Sequence, residues 1–266
     1  NDSESFKESA DLVGSSETIR SISFSNDEKR FNQWLAGLID GNGYFECSIG
    51  KYPRSNITIN ILDERTIRYV QNKVGGVVSV HAGNNSVRHR IGKTQGLIEF
   101  VHRVNGEIRN TKRIPQFIRV CELLNITYIE PQKLTKDNAW FSGFFDSDGI
   151  INYYIKGKNK DTPRLVISVS NKLSKDVEPF LEFFGGNIYY NKSSYGSYYW
   201  LLENSGYIEN FVDYIIKNPS RTRKINRILL CKIYYELKSL RAYKEDYPLL
   251  HPWKRQWKIQ IYFLLL

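Results

Sequence analysis

Nine residues near the start of the chain, Leu35-Ala36-Gly37-Leu38-Ile39-Asp40-Gly41-Asn42-Gly43, return as Phe141-Ser142-Gly143-Phe144-Phe145-Asp146-Ser147-Asp148-Gly149. Their glycines and acids keep one offset, since 143−37, 146−40 and 149−43 all give 106. A repeat of that period restricts the fold to two copies of one unit. The 266 residues suffice for two domains of ordinary size.

The nine residues suit the last turns of a helix that packs against its own copy. Gly37 beside Ala36, and Gly143 beside Ser142, place minimal side chains where larger ones would hold two helix axes apart. Glycine within a helix costs about 1 kcal/mol, which close packing offsets. Gly43 and Gly149 are expected to stop each helix as left-handed residues and release the chain into a strand. Asp40, Asp146 and Asp148 then lie where the peptide dipoles are already negative, so they call for a counter-charge. A divalent cation between the two termini would supply it, and its bound water could attack a phosphodiester. The copies differ at one telling place: the second carries the acid Asp148 where the first carries the amide Asn42.

The rest of the pattern repeats in step. A helix capped by Ser25 or Asn26 runs through Phe31, Trp34, Leu35 and Leu38. The period then falls to two: Phe45, Cys47 and Ile49 alternate with polar residues, as do Ile57, Ile59 and Ile61, giving strands with one dry and one polar face. A helix over 63–73, the break Gly75-Gly76, strands over 77–82 and 85–92, and helices over 95–105 and 114–126 complete the first unit. The second has strands around 151–155 and 164–170, the break Gly185-Gly186, strands near 187–192 and 197–203, and helices near 206–216 and 222–240. The predicted class is α/β (α+β): tandem αββαββ units, 26–127 and 137–266, joined by a connector over 128–136 with Pro131. Residues 1–25, polar and Ser-rich, read as a disordered lead.

Thirty-eight Lys and Arg against twenty-eight Asp and Glu give +10, which favours polyanionic partners. Cys47, Cys121 and Cys231 lack the spacing of a disulfide framework or a zinc cluster, and the four histidines show no ligand spacing. The longest apolar run, 259–266, is too short to span a membrane, so no membrane partner is expected. The absence of Met, with Asn at position 1, reads as a processed product or a piece cut from a longer reading frame. Abundant Ile, Asn, Lys, Tyr and Phe suit an AT-rich, mitochondrial gene.

The nine-residue copies resemble the LAGLIDADG family of intron-encoded homing endonucleases and the RNA maturases derived from them, in the form with two motifs on one chain. The first copy matches the family string at seven of nine positions and the second at four. The resemblance covers about residues 28–250. It implies paired motif helices between two four-stranded antiparallel sheets that form a saddle on duplex DNA, a monomer, and Mg held by an acid at the eighth motif position of each half. Asp148 keeps that acid and Asn42 does not, so Asp148 and a degenerate Asn42 are the expected metal and catalytic positions. An amide can offer oxygen to a cation but removes a full charge from a site that needs it. Asp40 and Asp146, at the sixth position, are read as structural.

Further site residues follow from the same resemblance. Arg109-Asn110-Thr111-Lys112 and Arg221-Thr222-Arg223-Lys224 each open a helix, and the family places a lysine there beside the reacting phosphate, which points to Lys112 and Lys224. Asp63 and Asn171 are expected as further polar pocket residues. Ser48, Asn56, Thr58, Asn60, Arg88 and Arg90 of the first unit, and Asn152, Tyr154, Lys156, Arg164 and Ser168 of the second, are the side chains expected to reach bases and phosphates. Arg221, Arg223 and Arg227 join them in a basic cluster that extends to Lys244, with Trp253, Lys254, Arg255, Trp257 and Lys258 beyond. The segment 218–243 looks like that of fungal maturases. The expected function is an RNA maturase that binds a group I intron and aids its splicing, with impaired cleavage. A Mg-dependent homing endonuclease, or a DNA-binding protein that does not cut, are the other readings.

Overall fold

The computed structural model describes residues 24–47, 52–92, 94–156, 162–192 and 196–244. Helix α1 (Asn26–Asn42) opens on a capping box, in which Ser25 Oγ accepts from the Glu28 N–H and the Glu28 carboxylate accepts from the Ser25 N–H. Strands β1 (Gly43–Glu46) and β2 (Arg54–Asn60), helix α2 (Glu64–Val74), strands β3 (Val77–His81) and β4 (Ser86–Ile91), and helices α3 (Thr94–Val104) and α4 (Ile114–Leu123) follow. The second round runs α5 (Trp140–Asp148), β5 (Gly149–Lys156), β6 (Thr162–Asn171), α6 (Glu178–Phe184), β7 (Asn187–Asn191), β8 (Ser197–Leu202), α7 (Ser205–Lys217) and α8 (Lys224–Ser239).

Each round builds a four-stranded antiparallel sheet, in the orders β1-β2-β4-β3 and β5-β6-β8-β7. The period-two pattern divides the faces as the sequence predicts. Phe45, Ile57, Ile59, Val87 and Ile91 are buried in the first sheet, and Ile151, Leu165, Ile167, Val169, Trp200 and Leu202 in the second. Both glycine pairs take positive φ, at 73° and 90° for Gly75-Gly76 and 71° and 92° for Gly185-Gly186. Each turn is pinned by an inward ring: His89 Nε2 lies 2.7 Å from Gly75 O, and Trp200 Nε1 donates to Gly185 O at 2.6 Å. Burial lowers the His89 pKa, which suits a neutral ring in this place.

Helices α1 and α5 meet backbone to backbone. A Cβ on Gly37 would lie 2.7 Å from Phe144 N, and one on Gly143 would lie 2.8 Å from the carbonyl carbon of Trp34. Only glycine permits that approach, as the small-residue pattern predicts. Gly43 and Gly149 stop their helices differently from expectation. Their φ values, −97° and −74°, are ordinary for any residue, so no left-handed turn is involved. They are needed for space, because a Cβ on Gly43 would sit 2.7 Å from Ile39 Cα and one on Gly149 would strike the Phe145 carbonyl and ring.

Candidate nucleic-acid interface and the paired helix termini

The tight helix contact brings the sixth-position acids to the opposite helix. Trp34 Nε1 donates to Asp146 Oδ2 at 2.8 Å, and Trp140 Nε1 donates to Asp40 Oδ2 at 2.7 Å. Each acid also accepts a backbone N–H from the segment before its own unit's last helix, Arg109 N to Asp40 and Arg221 N to Asp146, both at 2.8 Å. Asp146 is further held by the hydroxyls of Ser220 and Thr222. Asp40 has no such pair, and its Oδ1 is buried without a partner among the described residues. Burial raises both pKa values, that of Asp40 to about 7 against the pull of its donors. These are structural acids in a seam, as the sixth position implies.

A second exchange ties the same segments across the units. Arg223 N donates to Asp63 Oδ1, and Thr111 N to Asp176 Oδ1, both at 2.8 Å. Asp176 is therefore the counterpart of Asp63, and the expectation of Asn171 in that role is corrected. Asn171 Oδ1 instead accepts the N–H of Lys172 at the end of β6.

At the helix ends the charge is unequal. Lys224 Nζ donates to the carbonyls of Phe145, Asp146 and Ser147 at 2.9, 2.8 and 2.9 Å, capping α5 with a cation. Arg113 does the same for α1, reaching Ile39 O at 3.4 Å and Gly41 O at 3.2 Å. Lys112, which aligns with Lys224 in the repeat, is exposed, and its N–H bonds Asn110 Oδ1. The cation matching Lys224 in space is therefore Arg113, one residue further on. Asp148 lies against Gly41, where a Cβ would come within 3.3 Å of its Oδ2. Burial raises its pKa to about 6, while Lys224 and Arg113 pull the other way. Desolvation lowers Lys224 to about 8 and lowers Arg113, against the attraction of nearby acids including Asp148.

This donor set does not fit a divalent cation. One carboxylate faces two side-chain cations, the opposite motif offers the amide Asn42, and the last-turn carbonyls of both helices already accept from Lys224 and Arg113. A divalent ion needs several negative or neutral oxygens free to turn to it. Lys224 is also drawn to Asp63 and Asp146, and Arg113 to Asp40 and Asp176, but those acids are taken up by donors of the seam, which leaves one carboxylate beside two cations at the termini themselves.

The polar sheet faces hold most of the expected contact residues. In the first sheet Arg88 Nε donates to Thr58 Oγ1 at 3.2 Å and Arg90 Nε to Asn56 Oδ1 at 3.0 Å, so two guanidinium groups are held by cross-strand partners. Asn56, expected to reach bases and phosphates, is instead fully buried beneath this layer, where its Oδ1 anchors Arg90. Asn60 caps the turn after β2 through the Leu62 N–H. In the second sheet Asn152 and Tyr154 are exposed; the Tyr154 hydroxyl bonds Glu203, which also pairs with Arg164 at 4.0 Å. Ser168 stands between Ile150 and Leu201 in register. This half is more aromatic, with Tyr189 and Tyr199 stacked at 5.6 Å between centroids. Ser48, the Lys156 side chain and residues 253–258 lie outside what is described.

The three arginines of the last helix region are not on these faces. Arg223 pairs with Asp63 at 3.4 Å, and Arg227 donates to Ile151 O at 2.8 Å. Arg221 packs on Phe31, Trp34 and Tyr69. Sequence reasoning missed the crossed Trp–Asp bonds, although Trp34 and Trp140 share the 106-residue offset that would have exposed them.

A family model described as LAGLIDADG endonuclease matches residues 141–235. A protein of Debaryomyces hansenii named probable intron-encoded endonuclease aI2 is 46% identical over 81% of this chain and 35% of its own length. The intron-encoded RNA maturase bI4 of Saccharomyces cerevisiae is 48% identical over 85% of this chain and 36% of its own. The chain thus spans about a third of those two relatives. The intron-encoded DNA endonuclease ai2b of Dictyostelium discoideum is 33% identical over 84% of this chain and 88% of its own length. Among solved structures, the I-LtrWI LAGLIDADG homing endonuclease bound to target DNA has a TM-score of 0.65 at 13% identity, covering 82% of this chain and 94% of that one, a likeness of fold.

Proposed function

We propose that this chain, which belongs to the LAGLIDADG family, acts as an RNA maturase: it binds a group I intron RNA, stabilises its splicing-competent form and cuts DNA poorly. The observation that carries the reading is the single motif acid left at the paired helix termini, where Asp148 lies beside Lys224 and Arg113 and the other motif ends in the amide Asn42. Such a centre retains grip on a polyanion and loses the charge that would gather Mg and acidify its bound water. The relative named as an RNA maturase supports the choice. So does the aromatic second sheet, since unpaired RNA bases stack on exposed rings.

The Arg88 and Arg90 face of the first sheet is assigned to phosphates and base edges, with Thr58 and Asn60 beside it. Asn152, Tyr154, Arg164 and Ser168 serve on the second. Two motif helices in one chain fill the seam without a second copy, which favours a monomer, with 26–127 and 137–266 as its units. The abundance of Ile, Asn, Lys, Tyr and Phe, as an AT-rich gene would encode, and the intron-encoded relatives favour a mitochondrial setting.

A runner-up has specific support: two of the three relatives described above are named endonucleases, one of them as probable, so a homing endonuclease that still nicks through Asp148 is the second reading. The deciding experiment measures cleavage of the intronless DNA with Mg beside stimulation of intron splicing, for the chain and for Asn42→Asp. The maturase reading expects splicing help from both proteins and little cleavage by the unaltered chain. Efficient cutting of both strands by the unaltered chain refutes it.

A further inference from the structure

Among the described cations, Arg221 alone lies over three aromatic rings. Its guanidinium lies 4.9 Å from the Tyr69 ring centroid, 5.1 Å from Trp34 and 5.9 Å from Phe31, and its Nε is buried with no hydrogen-bond partner among the described residues. The repeat supplies a control. Arg109 occupies the same place in the first unit, since both backbone N–H groups bind a motif acid. There Nε is likewise unpartnered, but the two terminal nitrogens are satisfied from within, Nη1 by Gln132 O at 2.6 Å and Nη2 by the Glu107 carboxylate at 3.3 Å. The offset of 112 that relates Arg109 to Arg221 relates Glu107 to Pro219, so the second unit has lost the counter-ion.

The space beside the missing carboxylate is open. A cleft of about 450 Å³ lies there, lined in part by Arg221, Pro219, Lys217, Lys73 and Arg30. Asp27 and Glu28 also line it, and Glu28 is engaged by the Ser25 cap and by Arg103 at 3.7 Å. The lining therefore carries four cations against two acids, one already paired. Aromatic walls strip water from a guanidinium without neutralising it, and the planar fork suits the oxygens of a phosphate.

We infer that this cleft is a phosphate-binding site, occupied by a backbone phosphodiester of the intron RNA. The occupant rests on the maturase reading, whereas the anion site rests only on the lost counter-ion. The cleft begins at Trp34, about 12 Å along α1 from Asn42, so it would hold RNA away from the helix termini.

Arginine modification by phenylglyoxal, mapped by peptide mass spectrometry on the full chain, tests the site. Millimolar inorganic phosphate should slow the reaction of Arg221 relative to exposed Arg65, and the group I intron transcript should protect it further. Pro219→Glu restores the counter-ion of the sister unit while leaving the aromatic cage intact. It should weaken RNA binding about tenfold and reduce the salt slope by about one; Arg221→Gln should do the same. If RNA binds but Arg221 reacts equally with and without RNA and phosphate, the site is wrong and the maturase reading stands. If phosphate protects Arg221 but no RNA binds, the anion site stands and the maturase reading falls.

Discussion

Gly143→Ala tests the helix seam most directly. The added methyl would sit 2.8 Å from the Trp34 carbonyl carbon and 2.9 Å from Leu38 N, both backbone atoms that no rotamer change can remove. Carbon atoms pack at about 3.5 Å or more, so α1 and α5 must separate by at least about 0.7 Å, a gap that forfeits a quarter to a half of the local dispersion energy. If roughly ten atom pairs per side chain at about 0.15 kcal/mol are loosened for five seam residues, losing a third costs about 2.5 kcal/mol. Overpacking strain adds about 1–3 kcal/mol, and the better helix propensity of Ala returns about 1 kcal/mol. The net expectation is about 3 kcal/mol. Urea unfolding should show it as a lower midpoint with an unchanged slope. Gly83→Ala is the control, because nothing lies within 4 Å of a Cβ there, and it should fall within about 0.5 kcal/mol of the parent. A Gly143→Ala protein as stable as the control would refute the backbone contact.

Three further outcomes follow. Trp140→Phe should destabilise more than Trp34→Phe in thermal unfolding, because it leaves Asp40 with the backbone donor Arg109, whereas Asp146 keeps Ser220, Thr222 and Arg221 N; equal losses would contradict the assigned network. Asp40 has a folded pKa of about 7 against 3.8 unfolded, so its contribution is fully present below pH 3.8 and is lost as pH rises to about 7; integrated, this is at most about 4 kcal/mol. Asp40→Asn, with its carbonyl facing Trp140 and Arg109, should flatten a urea-midpoint profile recorded over that window, and an unchanged profile would show that Asp40 does not titrate there. Asn42→Asp adds a charge at a helix C-terminus and should lower the melting temperature slightly without Mg, recovering with it; an identical Mg response in both proteins would sink the account of the missing charge.

Much of the architecture was legible because it rests on local rules that repeat. Alternation at Ile57 and Ile59, the Gly75-Gly76 break and the small residues at Gly37 and Gly143 each report a backbone requirement, and each recurs one unit later. The helix termini were less legible. The chain slips by one residue between the two loops, so Arg113 does for α1 what Lys224 does for α5, and alignment alone points to Lys112. Asp176 was hidden in the same way, its segment bearing little resemblance to that around Asp63. Gly43 and Gly149 were recognised as stops for the wrong reason, because crowding by Ile39 and Phe145 depends on the path the strand takes on leaving the helix. The Arg221 cage required the fold, since Phe31, Trp34 and Tyr69 converge on it from two helices.

The crossed indole–carboxylate bonds have an ancestral consequence. Adding 106 to Trp34 and Asp40 gives Trp140 and Asp146, so the exchange maps onto itself when the halves trade places. A fragment bearing one motif would find in its twin the same ring donor and the same waiting acid. The joint is thus the kind that a gene encoding a symmetric pair bequeaths when its two copies fuse.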